Sequence, residues 1–456
     1  MMLNPVLYKS LGTSITRPEN KQDHVRLRDL MSNEWRKTLN FSKKSSSEIK
    51  SWQFIRIKKL VDHAFRTVPL YRDKYSKEGF FPQDLKTWQD FESLPILKKE
   101  ELIEAFPEKS ISNKHTFEFT TRSSGSSGKF VTIAVSPEAV YRDTIQGARQ
   151  FYFQSGGNYK PKDLALFIYT CPWWVSSIDG NYKNHFLPTT TKIEKAAKTI
   201  RKLRPKILSL YPTYLVKFYE KNINLKDYGV ELIVIHSEQS TLRQREEITK
   251  YMCIPVLDEF SSEELTRIAL ECPKRKYHLE EDACYAEIIN GITKKTVRYG
   301  EQGLLIGTNL LNEATPIIRY FQGDTAIIRE NMGCSCGSNS RFFGEAYGRH
   351  MDSIVSEGGE IIPASCFMDL AYNWYLDLGI PVHGLKYQII QSKNGSIDIY
   401  LQPNVYRITK KQEGMIKESI YQLLPRTAKV KTHISKQIPL VSGRKFRPII
   451  SFKNKS

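Results

Sequence analysis

The sequence predicts an α/β protein: a large N-terminal domain with mainly parallel, helix-covered sheets, followed by a small α+β C-terminal domain. Two observations carry this. From residue 136 to 257, short apolar and β-branched runs alternate with helical stretches, the pattern of strands laid parallel under covering helices. Past Gly348 the texture changes to a hairpin signal, one helix and one strand. A boundary near Tyr347–Asp352 therefore divides the chain into domains 1–347 and 348–456, the second of a common domain size.

Taken in order, residues 50–76 show helical periodicity stopped near Pro69. Strands are expected at Leu164–Tyr169, Ile207–Tyr211, Glu231–His236 and Ile254–Leu257. Helices are expected near 136–154, 190–204, 212–222 and 240–251. In such folds the ligand-binding loops gather at the carboxyl ends of the strands. In the second domain, residues 385–402 read as two antiparallel strands around Lys393-Asn394-Gly395. A helix near 408–424 and a strand near 428–438 follow.

At 456 residues, 40% hydrophobic and 11% aromatic, the chain has ample material for packed cores. No apolar run approaches the roughly 20 residues of a membrane span, and the N-terminus has no secretory pattern. A cytoplasmic protein is expected, with peripheral membrane association left open. Seven cysteines, an odd number, argue against a disulfide scaffold. A net charge of +19 implies acidic partners such as nucleotides, coenzyme A, anionic surfaces or glycans. The basic residues are spread out and accompany no nucleic-acid-binding motif, so nucleic acid is not expected. One denser run, Lys192, Lys195, Lys198, Arg201, Lys202, Arg204 and Lys206, reads first as a solvated helix face.

The most informative stretch is Thr120 to Lys129, which reads Thr-Thr-Arg-Ser-Ser-Gly-Ser-Ser-Gly-Lys. Little side-chain bulk, many backbone N–H groups, hydroxyls and one lysine suit it to wrapping a polyphosphate. It is not a Walker loop: only Ser126 and Ser127 separate Gly125 from Gly128, and Phe130 follows Lys129. Five further segments follow in order: Ile235-His236-Ser237-Glu238-Gln239, Asp258 to Glu264, Thr308-Asn309-Leu310 leading to Pro316–Asp324, Gly348–Asp352 leading to Glu360–Pro363, and Ser442 to Arg447.

This ordered series resembles the adenylate-forming superfamily of acyl-CoA synthetases and adenylation domains. It is most similar to the phenylacetate–CoA ligase-like branch, which includes relatives from capsular polysaccharide gene clusters. The resemblance spans roughly residues 55–450 and implies ATP-dependent activation of a carboxylic acid, with magnesium, and acyl transfer to coenzyme A. It further implies that Ser124, Gly125, Ser126, Ser127, Gly128 and Lys129 grip the β- and γ-phosphates. Ser237, Glu238 and Gln239 would line the adenine, Asp324 would bind the ribose, and Arg349 would add a second nucleotide contact. Glu264 would hold Mg²⁺, a hard cation that prefers oxygen ligands, with Glu263 the alternative. Lys445 would be the mobile lysine of adenylation, although the inserted Arg444 leaves that slot open to either residue. The small domain would rotate on a hinge at Gly348–Asp352, where Met351 replaces the usual charged residue. Transfer to a carrier protein or to a sugar amine or hydroxyl is the alternative second step. A catalytically reduced basic scaffold is a different class, favoured by the loss of a clear Ser-Gly-Lys.

Cys272 and His278 stand five residues apart, and Cys334-Ser335-Cys336 lies between Gly333 and Gly337. The spacing suits either a Cys₃His zinc tetrahedron or four residues with ordinary packing roles. The branch resemblance implies the former, as a structural zinc site.

Overall fold

The computed structural model describes residues 15–16, 20–114, 119–123, 131–169, 172–173, 175–238, 240–349, 353–359, 361–362, 364–378, 380, 385–403, 407–438 and 447–453. After the short strand Ile15–Thr16 come helices Lys21–Phe41 and Ser46–Thr67, each starting at a capping box, on Asn20 and Ser45 respectively. Pro69 ends the second helix and occupies the first turn of the next, Pro69–Lys77, a position where its missing N–H goes unused.

The strands of the principal sheet are numbered in chain order. They are β1 (Leu164–Tyr169), β2 (Lys183–Pro188), β3 (Ile207–Leu210), β4 (Leu232–His236), β5 (Val256–Ser262) and β6 (Thr266–Glu271). β7 (Tyr277–Leu279), β8 (Cys284–Ile289), β9 (Gln302–Asn309), β10 (Tyr320–Arg329) and β11 (Phe342–Arg349) complete it. The 11-stranded order is β8-β9-β10-β11-β7-β6-β5-β4-β3-β1-β2.

The sheet is mixed. β2, β1, β3, β4 and β5 pair parallel, and from β5 onward every pairing is antiparallel. Four strands of the parallel half coincide with the expected ones and β2 adds an unexpected fifth, whereas the antiparallel half begins where only Glu263-Glu264-Leu265 joins β5 to β6. A link that short can reverse the chain but cannot carry it back for a parallel return.

Four helices cover the parallel half: α1 (Pro137–Gln154), α2 (Ile193–Leu203), α3 (Pro212–Glu220) and α4 (Leu242–Met252). Phe151 of α1 packs on one face with Phe167, Val234 and Leu257. The opposite face buries Leu208, Ile233 and Val256 with Ala196, Phe218 and Met252 of the other three helices. Helix α2 buries Ala196, Ala197 and Ile200 and leaves Lys195, Lys198, Arg201 and Lys202 exposed, so the basic run is a solvated face. No described helix is long and apolar enough to cross a membrane.

Beyond β11 a separate core forms around Phe367, Trp374, Ile389, Ile399, Ile416 and Ile449. It joins helices Ala364–Asp377 and Lys410–Ser419 to a four-stranded sheet ordered Val430–Ile434, Ile397–Pro403, Leu385–Gln391, Ile449–Ser451. The expected hairpin is the pairing of Leu385–Gln391 with Ile397–Pro403, and Gly395 takes φ +87 in its turn. Arg243 of α4 donates to Asn373 Oδ1 across the two parts, at 2.5 Å.

Candidate functional site

The stem of the Ser/Gly loop is an antiparallel hairpin, Phe119–Arg122 with Thr132–Val135. Two bonds clamp its open end: Ser123 N–H to the Val131 carbonyl at 2.9 Å, and Val131 N–H to Ser123 Oγ at 2.9 Å. From this stem Thr121 Oγ1 donates to Glu263 Oε2. Tyr169, at the carboxyl end of β1, donates to the other oxygen of the same carboxylate at 3.1 Å. Glu263 therefore ties the loop stem to the edge of the parallel sheet.

Glu264 faces another way. Its carboxylate accepts from Tyr320 OH at 3.2 Å, and its backbone oxygen accepts from Asn309 Nδ2 at 3.0 Å. The residue is 6% exposed. Asn309 is itself fixed because its Oδ1 receives Leu311 N–H and Asn312 N–H. Tyr320 opens β10, the strand that carries Asp324. Asp324 is 8% exposed, accepts from Gln322 Nε2 at 2.5 Å, and stands opposite Arg349 in the β10–β11 register. Arg319 of the same motif is structural: it pairs with Glu287 at 2.7 Å inside the core.

At the end of β4, Ser237 adopts φ +68, and its Oγ lies 2.9 Å from His236 Nδ1. The His236 ring packs against Tyr169 and Tyr211, with centroids 5.1 and 5.4 Å away. Glu238 accepts from Thr213 N–H at 3.1 Å and Thr213 Oγ1 at 2.7 Å, in the first turn of α3. Ser124, Gly125, Ser126, Ser127, Gly128, Lys129, Gln239, Arg444 and Lys445 lie outside the described residues, as do His350 to Asp352. Thr121, Tyr169 and Tyr320 were not singled out from sequence. Their contributions arise from pairings across 142, 94 and 56 residues, which no local pattern signals.

A second constellation lies where β6 turns into β7. The ligand atoms of Cys272, His278, Cys334 and Cys336 all fall within 4.8 Å of one another. Cys336 Sγ is 3.2 Å from His278 Nε2. His278 Nδ1 faces the Ser340 carbonyl at 3.2 Å. A carbonyl only accepts, so the proton sits on Nδ1 and Nε2 keeps its lone pair. Burial lowers the His278 pKa, which holds the ring neutral at pH 7. Burial and the neighbouring thiols push Cys336 up to about 12. Lys274 N–H reaches Cys272 Sγ at 3.3 Å. Gly333 and Gly337, at φ +105 and +88, permit the turn that aims both later cysteines inward. Three thiols and a neutral imidazole in a partly buried cup fit a thiophilic divalent ion.

No family model matches the chain. It is 26% identical over 338 residues to the phenylacetate-coenzyme A ligase of Escherichia coli (strain K12), covering 70% of this chain and 75% of the relative. To the phenylacetate-coenzyme A ligase of Aromatoleum evansii it is 24% identical over 404 residues, 82% of this chain and 87% of the relative. Among solved structures, 2-hydroxyisobutyryl-CoA ligase in the postadenylation state, in complex with 2-HIB-AMP, superposes with a TM-score of 0.72. Its identity is 18%, over 90% of both chains. That likeness establishes the shared two-domain fold.

Proposed function

We infer that this chain, a relative of the phenylacetate-coenzyme A ligases with the fold of the adenylate-forming enzymes, activates a carboxylic acid with ATP and passes the acyl group to coenzyme A. One observation carries the reading. The stem of the Ser/Gly loop, the Glu263-Glu264 pair and the strand bearing Asp324 are linked side chain to side chain, through Thr121–Glu263 and Glu264–Tyr320. Residues distant in sequence thus meet where the hairpin stem docks on the strand ends of the large sheet.

In the first step a substrate carboxylate oxygen attacks the α-phosphorus of ATP and pyrophosphate leaves. In the second the coenzyme A thiol, losing its proton, attacks the acyl carbon and AMP leaves. Ser124 to Lys129 would hold the departing phosphates, where fixed donors stabilise charge as it develops. Asp324 accepts hydrogen bonds from the ribose hydroxyls, and Arg349 adds a contact from the facing strand. Glu264 is the magnesium ligand, held in place by Tyr320 and Asn309, while Glu263 positions the loop stem through Thr121. Ser237, Glu238 and Gln239 border the adenine. Lys445, or Arg444 in its place, approaches on the small domain, which turns about 348–352. Bound magnesium would neutralise phosphate charge. Cys272, His278, Cys334 and Cys336 would hold a structural zinc ion.

Incubating the protein with ATP, magnesium, coenzyme A and a panel of aryl, aliphatic and amino acids tests this reading. AMP release matched by loss of free coenzyme A thiol is expected with at least one acid. Failure of every acid to yield AMP overturns it.

A further inference from the structure

Helix α1 presents a polar stripe to the sheet: Asp143, Gln146, Gln150 and Gln154, spaced three or four residues apart and so on one helix face. Gln154 Nε2 donates to the carbonyls of Asp258 at 3.2 Å and Glu271 at 3.0 Å. Gln150 Nε2 donates to Glu259 Oε2 at 2.8 Å, and its Oε1 accepts from Arg267 Nε at 2.8 Å. Asp143 pairs with Arg267, whose partner on β5 is Ser261. The stripe therefore climbs β5 from residue 258 to 261 as α1 is followed back toward its start. Gln146 falls between the levels of Glu259 and Ser261, at the end of β5 that leads into Glu263.

Gln146 is 5% exposed, and among the described residues its Oε1 has no hydrogen-bond partner. A second orphan lies beyond the carboxyl end of β1. Trp173, on the segment leaving the carboxyl end of β1, has a buried Nε1–H that is equally unpartnered among the described residues. Its ring packs on Phe167 with centroids 5.2 Å apart and lies 5.6 Å from the Arg267 guanidinium. The same guanidinium comes within 2.9 Å of the Cβ position on Gly147, the residue after Gln146, so both orphans belong to segments that pack around Arg267. Buried polar atoms are almost always satisfied, because an unmet one costs stability. Here one acceptor and one donor are left over at the carboxyl edge where α/β sheets bind ligands.

We propose that Gln146 Oε1 and Trp173 Nε1 line the acyl end of the site. The acid then carries, away from its carboxylate, an uncharged group that both donates and accepts: a hydroxyl or a carboxamide. A hydroxyl donates to Gln146 while accepting from Trp173; a plain hydrocarbon chain or ring leaves both unmet. The proposal rests on the adenylation reading and names the substrate class within it.

The test is ATP–pyrophosphate exchange with matched acids: phenylacetate against 4-hydroxyphenylacetate, butyrate against 3-hydroxybutyrate, and pentanoate against 4-carbamoylbutanoate. The best acid is expected to be a polar member, exceeding its hydrocarbon counterpart by about 100-fold or more in kcat/KM, because a site built for a hydroxyl rejects analogues lacking it. Gln146→Leu should cut that ratio by about tenfold or more, and the volume-sparing Trp173→Phe should reduce it as well. A hydrocarbon acid as the best substrate, or a ratio unchanged in both variants, overturns the inference alone. Exchange with no acid overturns the adenylation reading and this inference with it.

Discussion

The loop edge and the Cys/His cup are both assembled from segments distant in sequence, yet they gather different chemistry. The edge joins the hairpin stem, the ends of β1 and β5, and β10 through contacts that span 56 to 142 residues. In the cup, Cys272 and His278 flank one tight turn, and Cys334 and Cys336 share another. An edge that gathers hydroxyls and carboxylates suits a site that must receive substrates, whereas a cup of three thiols and an imidazole suits an ion that stays. Substitutions at the edge should therefore cost function more than folding, and substitutions in the cup the reverse.

The largest expected effect is at Asp324. Asp324→Ala removes the carboxylate proposed to accept from the ribose and should weaken ATP binding by about 100-fold, the size of two lost charge-assisted hydrogen bonds. Its thermal midpoint should stay near that of the unmodified protein, and calorimetric titration with ATP checks the affinity. Glu264→Gln should raise the magnesium concentration needed for half-maximal turnover by about tenfold, a single weakened ligand. Glu263→Gln should change that midpoint little while lowering turnover, and a magnesium titration of both variants distinguishes the two glutamates.

In the cup the pattern reverses. Cys336→Ser should lower metal content from about one zinc per chain and lower the thermal midpoint by several degrees. Its KM for ATP should hold in the protein that remains folded. Metal analysis alongside thermal unfolding reads both effects.

The smallest expected effect is a pH slope. Asp258 lies on β5 beside Arg245, with its side chain 15% exposed. Burial pushes its carboxyl from the usual 3.8 up to about 7, against the pull of Arg245. The folded value exceeds the unfolded one, so the native state holds the proton longer. The stability this group contributes is full below about pH 4 and is lost as pH rises through 7. Asp258→Asn should flatten the fall in stability between those limits, as read by urea midpoints.

Much of the parallel half was legible because its strands are short apolar runs, such as Leu164–Tyr169, separated by helices with one buried stripe. The antiparallel half was not. Its strands bury ionic groups, such as Glu287 of β8 and Glu271 of β6, which pair with Arg319 and Arg245, so their polarity hides their depth. Helix Lys21–Phe41 also escaped notice, since it buries little beyond Leu27, Leu30 and Phe41 among apolar residues. At the site, motif order pointed to Glu264 and Asp324, and the Pro316–Asp324 segment includes Tyr320, but nothing in the chain announced that Tyr320 or Tyr169 meets a glutamate. Each is an isolated tyrosine at a strand end until the fold brings a glutamate to it.

Acid-dependent exchange of labelled pyrophosphate into ATP, run on the unmodified protein and on Asp324→Ala, tests the central claim most directly. Exchange that requires both an acid and magnesium, and that disappears in the variant, is the predicted result. No exchange with any acid, or exchange undiminished in the variant, would contradict it.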